Sequence, residues 1–173
     1  MSAERVADLE RQAEAAYTAM YEVEAYAAKD CYDDARMFFR QAMEAARAEG
    51  AALVELVEEQ DGEIVGHILF SRMTVTPAKF IAGLAPVAVA PEAQRLGIGA
   101  ALCRAGIEAV RALGAEAVVL LGHPDYYPRF GFSAEAARLM ASPYAGSPAF
   151  MALELTPGAL AYPLEVDFPA AFG

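Results

Sequence analysis

The chain has 173 residues, 57% of them hydrophobic, with 13 Lys and Arg against 24 Asp and Glu for a formal net charge of −11. That length fits one compact domain, and so apolar a chain can bury enough surface to offset its ordering entropy, which excludes disorder. The acid excess argues against nucleic acid as a bulk electrostatic partner, and runs such as Ala117–Leu121 fall far short of the ~20 apolar residues a membrane span needs. No basic patch followed by an apolar core stands after Met1, so no export signal is expected, and the lone Cys31 and Cys103 read as reduced thiols of a cytoplasmic protein.

Residues 3–49 contain no Pro or Gly, and apolar residues recur at helical spacing: Val6, Leu9, Ala13, Ala16 and Met20, then Tyr32, Ala35, Phe39, Ala42 and Ala46. This predicts two amphipathic helices over residues 1–50, broken near Lys29, with Asp30 capping the second and Gly50 closing it. The second helix has a tetratricopeptide-like pattern, but a single such unit cannot stack, so a helical hairpin packed on the following sheet is expected. Residues 1–60 hold 6 basic and 14 acidic residues, a balance of −8, which places most of the net charge there.

From Ala52 the period changes. Leu53–Val57 and Ile64–Phe70 read as strands joined through an Asp61-Gly62 turn into a hairpin. Leu84–Val89 is a third strand, Gly97–Leu113 a helix stopped by Gly114, and Ala117–Leu121 a buried strand, which together make one right-handed βαβ unit. Phe150–Leu155 gives a late strand before a Pro-containing tail. The fold class is α/β (α+β), a single domain around one mixed twisted sheet: a helical hairpin over residues 1–50 and a core over residues 51–173.

The segment Pro91–Leu102 joins a buried strand to a long helix and carries two glycines, Gly97 and Gly99. Glycine lets a ligand approach the backbone, and the first amides of a helix are unpaired donors at the positive end of its dipole, so the segment suits a phosphate or pyrophosphate. Arg95 adds a charge. A dinucleotide fingerprint would need a third glycine where Leu102 stands, and a P-loop would need Gly-Lys-Ser/Thr, which the chain lacks.

Gln94-Arg95-Leu96-Gly97-Ile98-Gly99 resembles the pyrophosphate loop of acyl-CoA-dependent N-acyltransferases. With Gly62–Phe70, Pro86–Val89 and Gly122–Phe132 in that order, the chain from about Ala52 onward resembles the GNAT superfamily, and within it the YhbS-like bacterial branch. The resemblance implies a sheet whose central strands splay apart between flanking helices. It implies acetyl-CoA as cosubstrate, with Gln94, Arg95, Leu96, Gly97, Ile98, Gly99 and Ala100 on the pyrophosphate. Val87, Ala88 and Val89 would pair through their backbone with the pantetheine, as a strand is added to a sheet edge.

By the same resemblance, Tyr127, four residues before the Gly131-Phe132 pair, protonates the departing thiolate, and Tyr126 beside it packs. A phenol near pKa 10 is a poor acid for a thiol near 8.5, a gap of about 2 kcal/mol, but a positioned hydrogen bond still stabilises charge forming on sulfur. His123, at the end of a buried strand, is the candidate acceptor of the amine proton or a residue fixing the turn, and His67 is the alternative base. Two histidines on different strands with no third ligand make a metal site improbable.

Two departures stand out. The strand ahead of the loop carries Leu84, Ala85 and Pro86 where many relatives use a Glu base, and no strand precedes the first helix. Either that strand is absent, leaving Leu53–Val57 nearer an edge, or a second subunit covers it in a homodimer. The expected activity is acetyl transfer to a primary amine of a small molecule or peptide in a ternary complex. The alternative is a catalytically silent acyl-CoA-binding or protein-interaction module.

Overall fold

The computed structural model describes residues 43–169. The expected N-terminal hairpin therefore lies outside the described residues except for its end, where residues 43–48 are helical. Gly50 closes that helix as expected. Its φ of 70° is left-handed, and the N–H groups of Gly50 and Ala51 return to the carbonyls of Arg47 and Ala46.

Strands β1 (Ala52–Gln60) and β2 (Glu63–Arg72) form the expected antiparallel hairpin. Its two-residue turn places Asp61 at φ 52° and Gly62 at φ 86°, the pair of left-handed conformations that a type I′ turn requires and an Asp-Gly sequence tolerates. A short strand β3 (Thr74–Thr76) precedes β4 (Ile81–Val89), helix α1 (Ile98–Ala112) and β5 (Ala117–Leu121), and β4–α1–β5 is the expected parallel crossover. The chain continues through β6 (Met140–Ala141), β7 (Phe150–Glu154) and β8 (Leu164–Asp167).

The main sheet runs β1-β2-β4-β5-β7, mixed because the β4–β5 pair alone is parallel. Among the described residues β1 is an edge strand; the expected lack of a strand ahead of the first helix lies outside them. A second sheet, β3-β8-β6, is an addition to the sequence reading. Its strands are two to four residues long, too short to show an alternation, and β8 lies in the segment read as a tail. No helix among the described residues is long and apolar enough to cross a membrane.

Helix α1 covers one face of the main sheet. Its buried stripe, Ile98, Leu102, Cys103, Ile107 and Val110, meets Ile68 and Phe70 of β2, Leu84 of β4, and Val118 and Leu120 of β5. Two glycines allow this close approach: a Cβ at Gly66 would stand 2.7 Å from Ile98 Cγ2, and a Cβ at Gly106 would fall on the Phe70 ring. Burial pushes the Cys103 thiol up to about 12, so it packs as a small apolar group. On the opposite face Ile81, Ala117, Val119, Phe150 and Ala152 pack against Met73, Met140, Leu164 and Val166 of the second layer.

Among the described residues His67 and Ser71 are the buried polar side chains, both on β2 and both facing away from α1. His67 Nε2 lies 2.7 Å from Glu55 Oε1 on β1, and Arg47, at the end of the helical segment, also pairs with Glu55. Burial raises the Glu55 carboxyl, but the His67 and Arg47 contacts outweigh it and hold the group near 2, against an ordinary value of 4.5. A carboxylate lowered in the folded state adds stability above its unfolded value and loses it as the pH falls through the folded one.

Two outcomes follow from this packing. Gly106→Ala should destabilise the chain by about 1–3 kcal/mol through overpacking against Phe70, measured by denaturant unfolding. Acidification from about pH 4.5 to 2 should destabilise the wild type more steeply than Glu55→Gln, and parallel pH–stability curves for the two would exclude the linkage.

Candidate active site

The parallel pairing of β4 and β5 is short. It joins Ile81 to Ala117, Ala82 to Val118 and Gly83 to Val119, and then stops. From Leu84 onward β4 pairs with β2 on its other side, at Val87, Ala88 and Val89, while β5 keeps β7. The two central strands thus part into a fork, and β4 presents to it a run of backbone that has no strand partner among the described residues. Across from β2, Leu69 faces the pair Ala85 and Pro86, a bulge that accommodates a proline, which has no N–H to contribute, inside the sheet.

The closed end of the fork is stapled. Lys79 Nζ lies 2.9 Å from Glu116 Oε2, the Phe80 N–H donates to Glu116 Oε1 at 3.2 Å, and the Glu116 N–H donates to the Phe80 carbonyl. The hydrogen bond from Lys79, then that from Phe80, lowers the Glu116 carboxyl below the usual carboxylate range. At the vertex Ser71 pairs with Gly83; its side chain is fully buried and its hydroxyl has no hydrogen-bond partner among the described residues. Sequence reading passed over Ser71 because a serine in an apolar strand gives no signal of its own.

At the open end of β4 the chain makes a 3-10 turn, Pro91–Ala93, and enters α1 through two left-handed residues, Arg95 (φ 63°) and Gly97 (φ 87°). Gly97 occupies the N-cap, and no side chain of the described residues caps the helix. The first intrahelical bond runs from the Ala101 N–H to the Gly97 carbonyl, so the amides of Ile98, Gly99 and Ala100 precede the ladder at the positive end of the dipole. This is a seat for an anion. Gln94 folds back, its Nε2 donating to the Val89 carbonyl at 3.1 Å, so that it fastens the turn to the strand. Arg95 and Leu96 are exposed, and Ile98 is anchored in the core.

The segment after β5 brings two tyrosines to this place. The N–H groups of Tyr126 and Tyr127 donate to the His123 carbonyl, which starts the 3-10 turn Tyr127–Phe130. Tyr127 is buried, its ring against Gly122 at the end of β5 and edge-on to Phe132 at 5.9 Å. Tyr126 is half-buried, edge-on to Tyr127 at 5.1 Å, and its hydroxyl stands 3.2 Å from where a Gly99 Cβ would be. The more packed ring is thus that of Tyr127, whereas the Tyr126 hydroxyl reaches the first turn of α1. His123 is exposed, while His67 is 1% exposed and held by Glu55. No three His, Cys, Asp or Glu side chains among the described residues gather to hold a metal ion.

Fork, turn and tyrosines can be set beside known proteins. Residues 9–132 match the acetyltransferase (GNAT) family. The uncharacterized N-acetyltransferase YjhQ of Escherichia coli K12 is 46% identical over 84 residues, which cover 46% of this chain and 45% of YjhQ. The uncharacterized N-acetyltransferase YhbS of the same organism is 34% identical over 92 residues, covering 52% of this chain and 55% of YhbS. The chain thus spans about half the length of the curated relatives it matches. A GNAT acetyltransferase from Brucella melitensis, solved with acetyl-CoA, superposes with a TM-score of 0.72 at 32% identity, covering 100% of this chain and 95% of that one. Escherichia coli YhbS, solved with CoA, superposes with a TM-score of 0.71 at 28% identity, covering 78% and 77%.

A Cβ at Gly122 would fall on the Tyr127 ring. Gly122→Ala should therefore displace that ring at a cost of about 1–3 kcal/mol, read as lost stability together with a changed near-ultraviolet tyrosine signal.

Proposed function

The chain belongs to the acetyltransferase (GNAT) family, and from that premise we propose that it transfers an acetyl group from acetyl-CoA to a primary amine of a small molecule or peptide, by direct attack in a ternary complex. The observation that carries the proposal is the continuity of the fork with the turn. Unpartnered β4 backbone leads straight into three unladdered amides at a helix N-terminus. An acyl-pantetheine needs amide partners along its length and an anion seat at its pyrophosphate, and the two lie end to end here in that order. The solved neighbours from Brucella melitensis and Escherichia coli hold acetyl-CoA and CoA.

In this reading Val87, Ala88 and Val89 pair with the pantetheine amides, and the turn from Gln94 to Ala100 holds the pyrophosphate. Gln94 acts by tying the turn to β4. The amine nitrogen attacks the thioester carbonyl, the tetrahedral adduct expels the thiolate, and the sulfur takes up the phenolic proton of Tyr127. His123 accepts the proton that the amine loses, directly or through water. Its exposure supports this role over His67, whose ring is buried against Glu55. The whole chain is read as one acyltransferase domain, with residues 1–50 as the hairpin and residues 51–173 as the core.

The adjacent tyrosines separate under mutation. Tyr127→Phe should lower kcat by about 10- to 100-fold with little change in the KM for acetyl-CoA, as loss of an acid acting only on the leaving group does. Tyr126→Phe should weaken acetyl-CoA binding with kcat nearly kept, since its hydroxyl stands at the turn. Thiol release measured over a panel of primary amines, with calorimetric titration of acetyl-CoA, tests both. Binding without turnover on any amine, and a Tyr127→Phe variant equal to wild type, would support the silent-module alternative instead.

A further inference from the structure

Acidic residues outnumber basic ones by 24 to 13, yet among the described residues two cations outside any ion pair stand on neighbouring aromatic rings. Arg47, Arg111 and Arg138 each lie beside a glutamate, Glu55, Glu108 and Glu135 respectively. Arg95, Arg104 and Arg129 are exposed and, among the described residues, form no ion pair. Arg72, likewise outside any ion pair, stacks on Phe80 at the closed end of the fork.

Two of these arginines, Arg104 and Arg129, meet an aromatic platform. The Arg129 guanidinium lies 4.5 Å above the Tyr126 ring, and its Nε donates to the Tyr126 carbonyl at 2.8 Å. The Arg104 guanidinium lies 5.6 Å from the Phe130 ring, and the Tyr126 and Phe130 rings are 5.5 Å apart. The Tyr126 hydroxyl stands 3.2 Å from where a Gly99 Cβ would be, so the platform that carries the two guanidinium groups abuts the first turn of α1. Arg104 follows Ala100 by one helical turn, about 6 Å along the axis. A second anionic group near the pyrophosphate seat would meet two cations already oriented by stacking.

We propose that Arg104 and Arg129 form the subsite for the 3′-phosphate of coenzyme A and give this chain its preference for CoA over the 3′-dephospho form. The inference rests on the acetyl-CoA reading above, which supplies the pyrophosphate on the turn. The 3′-phosphate sits on the same ribose that carries the pyrophosphate, so a cation pair beside the turn is where it arrives. Guanidinium groups suit a phosphate dianion because they offer paired donors in one plane. Stacking on Tyr126 and Phe130 lowers the ordering cost of long side chains that are otherwise free in solvent. Arg95, inside the turn, remains with the pyrophosphate.

The test is calorimetric titration of CoA and 3′-dephospho-CoA into the wild type, the Arg104→Gln/Arg129→Gln double variant, and Arg138→Ala as a surface control. The wild type should bind CoA about tenfold or more tighter than the dephospho form at low salt, a ratio that shrinks as salt is added. The double variant should bring the ratio close to one while keeping the wild-type affinity for 3′-dephospho-CoA, which also reports that it is folded. Arg138→Ala should keep the wild-type ratio. Equal wild-type affinities for the two ligands, or an unchanged ratio in the double variant, would overturn the subsite and leave the acetyl-CoA reading standing. A wild type that binds neither ligand would overturn that reading and the subsite with it.

Discussion

After Gly83 and Val119, β4 and β5 stop sharing hydrogen bonds, and the architecture around the site follows from that parting. Two neighbouring strands in a sheet core normally satisfy one another, so backbone freed from that pairing needs another partner. The fork persists because both ends are constrained. At the closed end Lys79, Phe80 and Glu116 bind the strand starts together. Beyond the vertex β4 is held by β2 and β5 by β7, while α1 packs on both arms through Leu84, Val118 and Leu120. Gly66 and Gly106 set how closely the helix sits, and with it the height of its N-terminal amides above the fork.

Electrostatics follow the same geometry. A net charge of −11 repels an anionic cosubstrate at long range, but screening limits that repulsion to about 8–10 Å at ordinary ionic strength. Within that range lie the helix dipole and the arginines around the turn. The Arg47–Glu55–His67 cluster lies on the sheet face opposite α1 and couples the helix end, β1 and β2. It is buried on the His67 side, and its contribution is to hold the hairpin edge of the sheet in register.

What was legible in the sequence was local. The Asp61-Gly62 turn, the span of α1 and the strand Ala117–Leu121 each carry their signal within a few residues, and so does the glycine turn at Gly97 and Gly99. The second sheet was not legible, because Thr74–Thr76, Met140–Ala141 and Leu164–Asp167 are strands only by virtue of one another. The strand read as Leu84–Val89 begins at Ile81, and at Gly83 a Cβ would lie 2.7 Å from Met73 Sδ, a close approach that only the fold reveals. The pairing of Glu55 with His67 depends on a register with bulges at both ends of β1, which no spacing rule supplies. Adjacent tyrosines could be named but not told apart, since the surroundings of each ring come from Gly122 and Gly99 on different elements.

The central claim is that the freed β4 backbone and the first amides of α1 together receive one acyl-CoA molecule. Amide hydrogen exchange of the full chain, with and without saturating CoA, tests it at the atoms concerned. The account predicts added protection at Val87–Val89 and at Ile98–Ala100, with β1 and β7 unchanged. Exchange at Val87–Val89 that is indifferent to bound CoA would contradict it.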